Sequence, residues 1–238
     1  MNLPHPPCYA VRILLLALVF ATAPLPAAEP AKKAPAPTPA PAPGAVQFTP
    51  PKTKAIGLKR QVNAGSRSGG RASAVPVALV PDGLGLSASE QPVLWWFLSQ
   101  PTTAKVEFTL NHRFETLIKF DLPDVTTAGL HRVDLASLTK QRPVKLTPGT
   151  PYEWTVRVKQ GDDPATDPVT VGWVEFRPVE TDLQTKLGTV SQLQRPALYA
   201  TEGYWYDAVN LLASPKPHPD LPPLLRQVGL LDVVVTVP

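Results

Sequence analysis

Between residues 72 and 177 apolar and polar positions alternate in short runs separated by Pro, Gly and Asp clusters, the period-2 pattern of half-buried strands. Seven strands are predicted, near 73–80, 93–98, 105–110, 113–120, 129–135, 152–159 and 169–177. Val106, Phe108 and Leu110 share one face, as do Phe114, Thr116, Ile118 and Phe120, and again Tyr152, Trp154, Val156 and Val158. Charged residues such as Glu107, Lys119, Glu153 and Arg157 alternate with them, so these strands are expected to face water on one side. The run from Val93 to Leu98 is apolar at every position and needs cover on both faces. Sheet core is the expected cover for one face and C-terminal helices for the other. In the last run the phase changes at Trp173 and Val174, which predicts a bulge beside Gly172.

Beyond Arg177 the period becomes helical. Thr181-Asp-Leu-Gln184 reads as a capping-box start, and Leu193, Ala197, Leu198 and Ala200 lead to Gly203. A second helix is predicted from Tyr204 to Leu212, stopped by Pro215, and a third from Leu221 to Val228, ended by Gly229. Ala200 to Ala208 resembles the helix-turn-helix joint of tetratricopeptide repeats; one such unit cannot bury its faces alone, so it must pack on the sheets. Leu146-Thr-Pro-Gly-Thr-Pro-Tyr152-Glu-Trp154 resembles the tyrosine corner of immunoglobulin and fibronectin III sandwiches, in which the phenol hydroxyl bonds to upstream backbone. Tyr152 is therefore assigned a structural role, together with Trp95, Trp154 and Trp173. The fold class predicted is mostly β with C-terminal α: a seven-stranded immunoglobulin/fibronectin III-like sandwich over 72–180, and a short tetratricopeptide-like helical segment over 181–238 packed on it.

The N-terminal third has no such periodicity. Arg12, the apolar run from Ile13 to Phe20, and small residues at Ala27 and Ala28 follow the order of a secretory signal peptide, assigned to 1–28 with cleavage open between those two alanines. The run is shorter than the ~20 residues a membrane span needs, so no transmembrane helix is expected in the mature chain. Cys8 precedes the run and leaves with the signal, which excludes disulfides and thiolate chemistry afterwards. Residues 29–71 read as a disordered arm, first alternating Ala and Pro, then basic. Charge sharpens this division. The arm carries net +7 and residues 72–238 net −4, so the basic pI of 9.2 describes the arm and not the folded body. A basic tail outside the cytoplasm would meet an anionic envelope surface, where nucleic acid is not a partner; a solvated spacer is the alternative.

Candidate chemistry is sparse. His112, His131 and His218 lack ligands at metal spacing, and no nucleophile elbow or phosphate-cradling glycine loop is present; no metal, cofactor or catalytic residue is assigned. Asp162, Asp163 and Asp167 could hold calcium, although acidic turn residues are the commoner explanation. The aromatics Trp96, Tyr204, Trp205 and Tyr206 are the binding candidates: exposed, they would stack on sugar or dock a protein, whereas buried they would pack on each other, the reading the sequence favours.

Taken together, Ala78-Leu-Val-Pro81, Gly85-Leu-Ser87, Trp95-Trp-Phe97, Leu146 to Trp154, Gly172-Trp173-Val174 and Ala197 to Ala208 resemble the bacterial family called domain of unknown function 928. The resemblance covers roughly residues 72–235 and implies export and this architecture without an activity. It also implies two positions that often hold cysteine in relatives, occupied here by Ser73 and, approximately, Gln160. The function expected is that of a non-enzymatic exported envelope protein, periplasmic or secreted, serving as an interaction, scaffold or accessory module for another envelope protein. A carbohydrate-binding module is the alternative, and a hydrolase with an unrecognised carboxylate pair the second. An apolar groove between sheets and helices would favour a peptide partner; exposed coplanar rings would favour sugar.

Overall fold

The computed structural model describes residues 46–52, 59–63, 73–123, 125–138 and 143–230. Residues 1–28, where a signal peptide is expected, Cys8 and the Ala/Pro stretch up to residue 45 lie outside the described residues. The chain is mostly β, with helices concentrated after the last strand. Its strands are β1 (Gln61–Asn63), β2 (Pro76–Ala78), β3 (Leu84–Ser87), β4 (Val93–Leu98), β5 (Val106–His112), β6 (Glu115–Leu122), β7 (Gly129–Asp134), β8 (Pro151–Val158) and β9 (Val169–Phe176). The larger sheet runs β1-β9-β8-β5-β6, and β3 lies parallel to β9 off that path; the smaller runs β2-β4-β7. All other pairings are antiparallel.

Alternation places Tyr152, Trp154, Val156 and Val158 of β8 in the core and leaves Glu153 and Arg157 facing outwards. On that outer side Lys159 bridges Glu107 at 2.9 Å and Asp121 at 2.6 Å, joining β5 to β6. Partial burial of the Glu107 carboxyl would raise its pKa, but Lys159 and Lys119 outweigh it and hold the pKa below the usual carboxylate range.

The helices are α1 (Leu135–Leu138), α2 (Thr181–Thr189), α3 (Arg195–Thr201), α4 (Trp205–Ala213) and α5 (Leu221–Gln227). Both faces of β4 are covered. Trp95 Nε1 donates to Asn210 Oδ1 on α4 at 3.0 Å, while Leu94 and Trp96 have no exposed surface. One apolar cluster includes Trp96, Phe108 and Trp154 from the sheets and Trp205, Leu212 and Leu221 from the helices, so sheets and helices share a core.

Several sequence expectations need correction. Among the described residues nine strands stand where seven are expected, because β1 falls in the basic arm and β3 (Leu-Gly-Leu-Ser) is buried at every position and so shows no alternation. No bulge occurs at Gly172, whose pairing with Trp154 lies within an unbroken β8–β9 register. The glycine is there for space: a Cβ would stand 2.7 Å from Trp154 Cε2. The register shift lies instead between Leu110 and Asn111, and Phe114 sits at the hairpin tip, fully exposed, beside Arg113 at φ 55°. Thr181 opens α2 as its first residue after Glu180, without a side-chain cap. A Gln-to-backbone cap occurs ten residues later, where Ser191 N–H donates to Gln194 Oε1 at 3.2 Å.

The basic arm also differs from expectation. Its described parts, 46–52 and 59–63, are folded onto the body rather than disordered. β1 pairs with β9, and the Gln61 carbonyl accepts from Thr170 Oγ1 at 3.1 Å. Arg60 Nη1 reaches the carbonyls of Val80 at 3.0 Å and Val228 at 3.2 Å. Backbone bonds and single anchoring side chains hold these pieces, and neither produces a hydrophobic period.

Candidate functional site

Residues 46–52 belong to no helix or strand, and Pro50 and Pro51 lack N–H donors for either, so the segment is held as an extended strap by partners elsewhere. Gln227, the last residue of α5, supplies them. Its Oε1 accepts from Phe48 N–H at 2.9 Å and its Nε2 donates to the Val46 carbonyl at 2.7 Å, so one amide clamps the backbone of two residues two apart. Thr49 N–H then donates to the Ala200 carbonyl of α3 at 3.0 Å. Val46 is buried and Phe48 half-buried, whereas Gln47 and Thr49 point to water. The Phe48 ring meets Trp205 edge-on, with centroids 4.8 Å apart.

Gly203, between α3 and α4, lies under the strap. At φ +84° it takes a left-handed conformation, and a Cβ there would come within 3.3 Å of both Pro51 Cβ and Thr49 O. Past Pro51 the strap borders a cavity of about 330 Å³, lined by Leu86, Leu183 and Tyr204 and by charges of both signs, among them Arg177, Glu180 and Lys186.

The four aromatic candidates lie elsewhere than on a stacking surface. Trp96, Tyr204, Trp205 and Tyr206 are all buried, which corrects the picture of an exposed patch; their ring contacts are with other residues, Trp96 with His131, Trp205 with Phe48 and Tyr204 with Tyr199. Trp205 Nε1 donates to the Leu79 carbonyl at 2.7 Å, and Tyr204 Oη donates to the Pro178 carbonyl at 3.1 Å. Tyr206 Oη accepts from Trp154 Nε1 at 2.8 Å and donates to the Trp173 carbonyl at 2.9 Å. Burial drives the Tyr206 phenol pKa far upwards, so the hydroxyl keeps its proton. Trp96 stacks on His131 at 4.8 Å, and its buried Nε1 has no partner; a second cavity of about 240 Å³ adjoins it.

Of the structural assignments, Tyr152 Oη accepts from Thr147 N–H at 3.1 Å, Trp95 and Trp154 are buried, and half-buried Trp173 contributes its carbonyl to Tyr206. His112 contacts the Tyr152 ring, His131 approaches the Thr127 carbonyl through Nε2, and His218 Nδ1 accepts from Asp220 N–H at 3.2 Å. Asp163 Oδ1 accepts from Ala165 N–H and Asp167 Oδ1 from Gln160 N–H, as turn-stabilising acids do. Among the described residues no three His, Cys, Asp or Glu side chains converge on a metal site, and no helix is long and apolar enough to cross a membrane.

Fold and site thus define a β-rich module whose helical segment grips an extended segment of its own chain. The chain belongs to the family described as Domain of Unknown Function (DUF928), whose model matches residues 62–234. No curated protein matches it. Among solved structures it is similar to an engineered protein from the Northeast Structural Genomics Consortium, at 13% identity and a TM-score of 0.30, covering 44% of this chain and 20% of that one. Likeness at that level carries no argument.

Sequence reasoning missed Val46, Phe48, Gln227 and the Ala200 carbonyl. A glutamine side chain and a backbone carbonyl carry no sequence signal for gripping a peptide, and Phe48 is an isolated aromatic among prolines.

Proposed function

We propose that the chain is a non-enzymatic, exported envelope protein that acts as an interaction or scaffold module for another envelope protein. The observation that carries this reading is the clamp of Gln227 and Ala200 on residues 46–49: the helical segment holds an extended peptide through main-chain bonds and two side-chain seats. Sugar binding through the aromatic candidates has less support, since those rings are buried. In the same reading the sheets form a fibronectin III-like sandwich, supported by the order β2-β4-β7 against β6-β5-β8-β9 and by the Thr147–Tyr152 bond. The α3–α4 joint is read as tetratricopeptide-like. Export rests on the N-terminal apolar run, and contact with an anionic surface on the basic arm, whose Lys52 and Lys59 are exposed.

The test is affinity capture from envelope extract with tagged mature protein, with and without residues 29–71, alongside a glycan array. A stoichiometric protein partner and a blank array are expected. Glycan binding without a protein partner would overturn the reading.

A further inference from the structure

We propose that the groove framed by α3, α4 and α5 is a recognition site for an extended segment of a partner protein. The segment would carry a small aliphatic residue and a phenylalanine two positions apart, followed by proline, and residues 46–52 fill the groove in cis until such a segment displaces them. The proposal rests on the interaction-module reading above and names the partner's chemistry.

Three observations carry it. Recognition is written mainly in backbone atoms: the Gln227 amide spans the carbonyl of one residue and the N–H of the second residue after it, and the Ala200 carbonyl takes the next N–H. Any extended chain offers those groups in that spacing, so the clamp is transferable. Side-chain selection is confined to alternate positions, Val46 in the core and Phe48 on Trp205, while Gln47 and Thr49 face solvent; this is the pattern of a peptide bound on one face. Finally, Ala200, Gly203, Trp205 and Gln227 all fall within the family match at 62–234, and the occupying segment falls outside it. The groove residues lie within the family match, whereas the occupant lies outside it and belongs to neither sheet.

A tethered occupant competes at an effective concentration on the order of millimolar, so a partner must bind the vacated groove more tightly than the chain binds its own strap. The probe is a fluorescent peptide of residues 44–52 of this chain, titrated by polarisation against full-length mature protein. Val46→Ala with Phe48→Ala in the chain empties the seats without altering the groove. The peptide is expected to bind this variant at least about tenfold more tightly than wild type. Gln227→Ala, or alanine at the peptide's own phenylalanine, is expected to abolish that gain. If the double variant loses its cooperative melt, Thr49→Pro removes one strap N–H and replaces it in the same titration. Equal weak binding to every variant overturns the groove, and so does a concentration-dependent dimer of the vacated chain, which would make the occupant a second copy's strap. Capture of an envelope protein that survives Gln227→Ala overturns the groove alone and leaves the interaction-module reading standing. Failure of capture together with a glycan signal removes both.

Discussion

Trp154 and Tyr206 are joined by a buried hydrogen bond, indole Nε1 to phenol oxygen at 2.8 Å, that ties the middle of β8 to the first turn of α4. The phenol in turn donates to the Trp173 carbonyl on β9, so one hydroxyl satisfies two groups from neighbouring strands. Tyr206→Phe keeps the ring and strands both partners. The expected cost is about 1–3 kcal/mol, the penalty for leaving a buried donor and acceptor unpaired. Urea denaturation at pH 7 measures it, with an unchanged m-value. A loss below about 0.5 kcal/mol would mean that water replaces the hydroxyl.

How much of this was legible in the sequence depends on the kind of signal. β5, β6 and β8 announce themselves by alternation, and β4 by an unbroken apolar run; the need to cover that run implies helices beside it, and Trp95 of β4 meets Asn210 of α4. Alternation misled at Phe114, because it continues in register through the hairpin and takes no account of the shift after Leu110. The phase change at Trp173 suggests a bulge beside Gly172 because sequence reveals a missing side chain but not what occupies its space, which is the Trp154 indole. The strap was invisible because its binding groups are peptide N–H and C=O, which every residue has.

Asp207, in the first turn of α4, accepts from Ala88 N–H at 2.8 Å, yet burial pushes its carboxyl up to about 6. A folded pKa above the unfolded value means that the native state favours the protonated acid. Its contribution to stability is therefore complete below the unfolded pKa of about 4 and lost as pH rises through about 6. Relative to Asp207→Asn, wild type is expected to lose on the order of 2 kcal/mol between pH 4 and pH 7. Paired urea curves at each pH isolate this group from carboxylates such as Glu107, whose lowered pKa acts in the opposite sense. Parallel profiles for the two proteins would count against the assignment.

Ser73 and Gln160, the positions where the family resemblance implies cysteines in relatives, face each other here: Ser73 Oγ donates to Gln160 Oε1 at 3.1 Å. The double variant Ser73→Cys, Gln160→Cys is expected to cross-link under mild oxidation. With its ends 87 positions apart, the bridge should add up to about 4 kcal/mol by restricting the unfolded chain. The readouts are thiol titration and a rise in Tm reversed by reductant. Two thiols that stay free after oxidation would show that backbone separation forbids the bridge.

The sheets depend on the helices for more than surface area. Removing residues 181–238 would strip the partner from the Trp154 indole N–H, the Leu79 carbonyl and the Trp95 indole at once, and uncover one side of β4. Each orphaned polar group costs about 1–3 kcal/mol if it stays buried, and an exposed apolar strand of that length invites association. The fragment 72–180 is therefore expected to be insoluble or to elute as aggregate, while a chain of residues 29–238 stays soluble under the same conditions. A monomeric fragment with a cooperative melt and native near-ultraviolet dichroism would show that the sheets carry a sufficient core of their own, and that the α4 contacts only decorate it.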